Sequence, residues 1–167
     1  AVAVVVDGRV VEARGYGLAD VGGDVRVRPD TAFAIASLSK PFLAIGVMML
    51  VEEGKLRLDD PVSRYLDPTP KAWRKLTVRN LIAHTSGIAN LYNDDIIVND
   101  VSLFGWRISN HYFDTGGDVS GESVFEALAE QPLKFPPGTR FGYSNGNYHL
   151  LAMIVRKVTG EPYEALL

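Results

Sequence analysis

An α+β domain is what the sequence predicts, and three observations carry that expectation. Two apolar runs meet at Asp7-Gly8 near the start of the chain. A long apolar segment lies between Ser37 and Gly54. Further helical segments follow over 77–84, 120–130 and 145–159, without the strict strand–helix alternation of a parallel α/β sheet.

Ala1–Val6, Asp7-Gly8 and Arg9–Arg14 read as a β-hairpin, because Asp-Gly supplies the two positive-φ positions of a tight two-residue turn. Gly15, Gly17, Gly22 and Gly23 mark loops, and Thr31–Ala36 is expected to form a short strand. Leu38–Glu53 is the strongest helix. Its middle, Phe42–Val51, is apolar on every side, the pattern of a helix enclosed by protein, and Met48-Met49 reads as core filling. Pro41 is tolerated only in a first turn, which places the helix start close to Ser37, and Gly54 is a natural stop. Leu56–Pro70 is a proline-punctuated loop. Thr77–His84 is a short helix with Thr77 as N-cap, Ser120–Glu130 is helical, and Asn145–Thr159 is a last helix closed by Gly160. Asn90–Gly117 shows no period.

The 167 residues are 47% hydrophobic and 22% charged, values of an ordinary globular domain. A net charge of −3 without a Lys/Arg cluster argues against nucleic acid as a partner. The lack of cysteine excludes disulfides, thiol catalysis and Cys-ligated zinc. His111 and His149 lack metal-ligand spacing, and Asp94-Asp95 is followed by no calcium-loop pattern, so no metal is expected. No signal peptide is visible, and no apolar run is long enough to span a bilayer.

Two short patterns bear chemistry. Ser37-Leu-Ser-Lys40 stands at a helix start, where residues three apart share a face and the Lys40 amine can reach the Ser37 hydroxyl. A serine becomes a useful nucleophile when a neighbouring base takes its proton, and a lysine serves as that base only when uncharged, which calls for desolvation. The Ser37 N–H could form half of an oxyanion hole. Tyr143-Ser-Asn145 pairs a phenol that can relay a proton with an amide that can hold a substrate carbonyl. Each pattern alone has about 0.3 chance matches in a chain of this composition. Gly142-Tyr-Ser-Asn-Gly146 also fits a nucleophile elbow centred on Ser144, but that mechanism needs an acid and then a histidine downstream, and only His149 follows, with no acid between. His84-Thr-Ser-Gly87 is read as a helix end capped by Gly87, with His84 structural. Trp106 and Tyr112 fit pocket lining or packing equally well.

Phe33-Ala-Ile-Ala-Ser-Leu-Ser-Lys-Pro41 closely resembles the first motif of the serine β-lactamase and penicillin-binding-protein superfamily. Tyr143-Ser-Asn145 resembles the second motif in the form typical of class C β-lactamases, DD-peptidases and β-lactamase-like esterases. Val51–Val62, Thr77–Gly87, Phe135–Phe141 and Val158–Tyr163 are similar to the family's linking segments. The resemblance implies a β-lactamase/transpeptidase-like fold, an antiparallel sheet packed against helices. It implies Ser37 as the acylated nucleophile, Lys40 as its proton acceptor, Tyr143 as proton shuttle and Asn145 as a substrate contact. Whether Lys40 or Tyr143 takes the first proton stays open, since the two would titrate as a coupled pair.

No Lys-Thr-Gly or His-x-Gly follows Asn145, and the family's N-terminal helix is not seen. Residues 1–167 are therefore expected to form a partial domain whose later strands are missing, with open sheet edges that a homo-oligomer would cover. The expected function is acyl-enzyme hydrolysis of an amide, lactam or ester in a small molecule or peptide. The alternatives are an inactive binding domain of the same fold and an esterase using Ser144. No cofactor is implied, and the resemblance admits an extracytoplasmic location.

Overall fold

The computed structural model describes residues 1–90 and 121–166. The expectations for Asn90–Gly117 beyond Asn90 itself, among them Asp94, Asp95, Trp106, His111 and Tyr112, lie outside the described residues. The chain divides into two units, Ala1–Ser37 and Leu38–Leu167.

In the first unit, β1 (Val2–Val6) and β2 (Arg9–Arg14) pair antiparallel from Val2↔Arg14 to Val6↔Arg9, with one register irregularity between Val4 and Val5. Asp7 (φ 48°) and Gly8 (φ 75°) both take the positive φ that the Asp-Gly turn requires. A second antiparallel pair joins β3 (Leu18–Asp20) to β4 (Val25–Arg26). Thr31–Ala36 is not the strand the sequence suggests: residues 31–35 have no regular structure, and Ala36–Ser39 form a 3-10 turn. Thr31 instead closes a turn with Arg28, donating its N–H to the Arg28 carbonyl (3.1 Å) and accepting the Arg28 N–H at its hydroxyl (2.8 Å). A β-prone stretch becomes a strand only when another edge completes its ladder.

In the second unit the helices are α1 (Lys40–Glu52), α2 (Val78–Ile82), α3 (Gly121–Ala129) and α4 (Asn145–Thr159). Of these, α1, α2 and α4 begin or end on a local signal. Pro41 occupies the first turn of α1, and Gly54 (φ 71°) follows its C-cap. Thr77 and Asn80 form a reciprocal capping box at α2. Ser144 caps α4, Arg156 and Lys157 sit in its last turn, and Gly160 (φ 81°) ends it.

The core forms where α4 packs against α1, α2 and α3. Leu150, Leu151, Ile154 and Val155 of α4 meet Leu43, Val47 and Leu50 of α1, with Val78, Leu81, Phe125 and Leu128 beside them. Trp73 is fully buried, edge-on to Phe125 at 5.7 Å. The segment 58–62 is laced to the start of α2: Val62 N–H donates to Leu76, Val78 N–H to Asp60, and Arg79 N–H to Leu58. Asp60 organises that loop, its buried carboxylate accepting from the Tyr65 hydroxyl (2.5 Å), the Arg57 N–H (3.0 Å) and the Arg64 guanidinium (3.0 Å).

The all-round apolar pattern of Phe42–Val51 does not correspond to an enclosed helix among the described residues. Leu43, Gly46, Val47 and Leu50 are buried on one face, whereas Phe42, Ile45, Met48 and Met49 are 40–54% exposed, so the methionine pair is surface and not core filling. Among the described residues α4 and the 3-10 turn Tyr163–Leu166 pack on α1, and together they cover only one side of the cylinder.

Candidate active site

Lys40 is the first residue of α1, and its half-buried side chain runs towards the start of α4. Its Nζ donates to Asn145 Oδ1 at 2.8 Å and lies over two aromatic rings, 5.2 Å from the centroid of Tyr143 and 5.7 Å from that of Tyr148. Residues 105 apart in sequence thus meet because α1 and α4 pack together.

The loop that delivers Tyr143 is strapped to the segment after α2. Lys134 N–H donates to the Gly87 carbonyl (2.8 Å), Gly138 N–H to Thr85 (2.7 Å) and Gly142 N–H to His84 (2.8 Å). Gly87 is required there twice over: its φ is 79°, and a Cβ would stand 2.2 Å from the Phe135 carbonyl oxygen. Tyr143 is 42% exposed and donates its hydroxyl to Asn145 Oδ1 at 3.3 Å. Asn145 anchors the arrangement. Its backbone N–H and Nδ2 both donate to Asn90 Oδ1 at 3.2 Å, which turns its own Oδ1 towards the Lys40 amine and the Tyr143 phenol.

Lys40, Tyr143 and Asn145 are therefore brought together at one oxygen atom. Ser37 closes the first unit, three residues ahead of Lys40 along the chain, in the 3-10 turn Ala36–Ser39. The residue before it, Ala36, holds a left-handed φ of 46°, a conformation that disfavours an L-residue by about 1–2 kcal/mol. Backbone strain of this kind concentrates at functional positions.

Ser144 is a cap and not a nucleophile. It is fully buried, its Oγ donates to the Ala89 carbonyl (2.8 Å) and accepts from Gly146 N–H (3.1 Å), so neither the hydroxyl nor its lone pairs face a substrate. The elbow-like Gly-x-Ser-x-Gly arises because a helix N-terminus wants a serine, and because Gly146 lies where a Cβ would press on Leu128 at 2.8 Å. The expectation for His84 also changes. The C-cap of α2 is Ala83, and His84 itself takes the left-handed φ of 54° that follows, while Gly87 serves the contact with Phe135.

Beneath the site lies a buried polar network that the sequence reading missed. His84 Nδ1 receives the Ser144 N–H at 3.3 Å and the Asn147 amide at 3.0 Å. Asn147 Oδ1 accepts from the Ser86 hydroxyl (2.5 Å), and Ser86 Oγ accepts from Ile88 N–H (3.0 Å). Burial, and secondarily the Lys40 charge, hold His84 below the usual imidazole pKa, so it stays neutral. A signal was available: Asn147 lies two residues after Asn145, at a position of α4 where a polar residue needs a buried partner. Among the described residues no group of His, Asp and Glu could hold a metal ion, and no helix is long and apolar enough to cross a membrane.

A family model described as Beta-lactamase matches residues 1–167. PbpX of Bacillus subtilis (strain 168), a protein named for penicillin binding, is 32% identical over 161 residues, covering 96% of this chain and 35% of PbpX. The penicillin-binding protein of Bacillus halodurans superposes with a TM-score of 0.70 at 30% identity over 90% of this chain and 42% of that one. The octameric penicillin-binding protein homologue of Pyrococcus abyssi gives 0.74 at 32% over 98% and 35%. A D-amino acid amidase from Ochrobactrum anthropi SV3 gives 0.68 at 27% over 90% and 37%. The chain spans about a third of the length of the curated relatives it matches. Its fold is that of the β-lactamase and penicillin-binding-protein superfamily, and the chain belongs to the Beta-lactamase family.

Proposed function

We propose that this chain carries the acylation machinery of a serine hydrolase that works through an acyl-enzyme. Ser37 is the nucleophile, Lys40 and Tyr143 move the protons, and Asn145 orients them and the substrate. The observation that supports this reading above the others is the convergence of the Lys40 amine (2.8 Å) and the Tyr143 hydroxyl (3.3 Å) on Asn145 Oδ1, with the serine one helical turn upstream in sequence.

Ser37 Oγ attacks the substrate carbonyl carbon while its proton passes to the Lys40–Tyr143 pair. The tetrahedral intermediate collapses, the C–N or C–O bond breaks, and the leaving group takes a proton back through the Tyr143 hydroxyl. Water then repeats the sequence on the acyl-Ser37 ester and releases the acid. The partial exposure of Tyr143 suits a residue that must meet a leaving group. An amide of a small molecule or peptide is the substrate class, supported by the amidase relatives, including a D-stereospecific amidohydrolase of a Streptomyces species at 31% identity. The octameric assembly named for the Pyrococcus abyssi relative favours a homo-oligomer here as well.

The test is incubation with an alkyl fluorophosphonate or a fluorescent penicillin, followed by peptide mass spectrometry. The expected adduct maps to Ser37, disappears in Ser37→Ala, and forms roughly 100-fold or more slowly in Lys40→Ala. No adduct under forcing conditions would assign the chain to binding without turnover.

A further inference from the structure

We propose that His84 is the positioning residue of this site: with its ring it fixes the plane of Tyr143, and with Nδ1 it fixes the first turn of α4. The inference rests on the proton-moving role of Tyr143 proposed above. The imidazole stacks on the Tyr143 ring at 4.5 Å between centroids and 28° between planes. The Tyr148 ring lies at 5.2 Å and 33°, and Phe141 stands edge-on at 6.0 Å. Lys40 Nζ lies over two of the same rings, Tyr143 and Tyr148. The imidazole is thus a platform for the ring whose hydroxyl must reach Asn145, in a residue that is 42% exposed.

The second hold is polar. Two N–H groups, from the Ser144 backbone and the Asn147 side chain, converge on Nδ1, so the proton belongs on Nε2. Ser144 is the N-cap of α4 and Asn145 its first residue, so one ring atom positions the backbone that carries the carboxamide. A neutral ring is what this needs. Protonation would aim a third N–H at two donors and place a cation near Lys40. Burial and the Lys40 charge both favour the neutral form.

His84→Asn and His84→Phe separate the two holds. Asn accepts the left-handed backbone and offers an Oδ1 near the place of Nδ1, but removes the stacked ring. Phe keeps the ring and removes the acceptor. In the full chain, with the alkyl fluorophosphonate as probe, His84→Asn is expected to lower the maximal rate of Ser37 modification about 10–100-fold, leaving the half-saturating probe concentration within about twofold. In the NMR spectrum of the same protein the Tyr143 ring signals lose their ring-current shift in His84→Asn and keep it in His84→Phe. A folded His84→Asn that reacts at the parental rate with unmoved Tyr143 signals overturns the proposal. If neither variant folds, the nitrogen-15 spectrum of the parent decides, since a protonated Nδ1 at neutral pH overturns it and a bare Nδ1 supports it. Should the parent fail to react at Ser37, the acylation reading fails, and the Tyr143 signals still test the positioning alone.

Discussion

Replacing Asn147 by Ala tests the buried network that underlies the site. The side chain is fully buried and makes two hydrogen bonds, accepting from Ser86 Oγ at 2.5 Å and meeting His84 Nδ1 at 3.0 Å. Truncation leaves the Ser86 hydroxyl, itself fully buried, without its acceptor, which destabilises by about 1–3 kcal/mol. His84 Nδ1 keeps the Ser144 N–H, so that side loses only a net bond of about 0.5–1.5 kcal/mol. Alanine returns roughly 0.5 kcal/mol of helix propensity within α4. The balance is a loss of about 1–4 kcal/mol, or roughly 0.5–2 M in urea midpoint at a slope of about 2 kcal/mol/M. Urea unfolding followed by circular dichroism measures it. Ser86→Ala/Asn147→Ala should lose at least about 1 kcal/mol less than the sum of the single variants, because the orphaned partner is gone. A midpoint shift under about 0.2 M for Asn147→Ala, or strict additivity in the pair, would refute the network as the element that holds the start of α4.

Two further outcomes follow from single contacts. The Tyr65 hydroxyl bond, followed by the Arg57 N–H and the Arg64 charge, holds Asp60 below its ordinary carboxylate range, while burial and Asp60 push Tyr65 up to about 12. The carboxylate's contribution is therefore present above about pH 3.8 and lost as pH falls through its lowered value. The phenol's is present below about pH 10 and lost between about 10 and 12. Tyr65→Phe should lose roughly 1.5–3 kcal/mol at pH 7 and flatten both limbs of a stability–pH profile; unchanged limbs would contradict the pairing. Gly87→Ala combines a left-handed backbone with a Cβ 2.2 Å from the Phe135 carbonyl oxygen, so a loss of about 2–4 kcal/mol is expected in thermal or urea melts, with slower probe reaction at Ser37 as the Tyr143 loop shifts. A variant as stable and as reactive as the parent would show that this close approach is dispensable.

What could be read from the chain was whatever a few neighbouring residues decide. Asp7-Gly8 dictates a tight hairpin turn, Thr77 and Ser144 cap helices, and Gly54 and Gly160 end them, because each acts through its own dihedrals or on a backbone group within a few residues. Ser37, Lys40, Tyr143 and Asn145 were legible as a set of chemical types in order, and the linking segments were legible as resemblance.

Tertiary structure alone decided which atoms meet. Asn145 Oδ1 lies beside the Lys40 amine because α4 packs on α1, and Asn90 turns that carboxamide from 55 residues away. Packing also made Ser144 a buried cap, set His84 against Tyr143, and, among the described residues, left Phe42, Ile45, Met48 and Met49 exposed on one face of a helix that is apolar all round. Thr31–Ala36 remained irregular for the same reason that α1 is one-sided: a strand's hydrogen bonds and a helix's apolar faces are completed by other elements, and no local pattern encodes which element arrives. Distance and burial are properties of the packed chain, so the roles of polar groups at its centre follow from the fold.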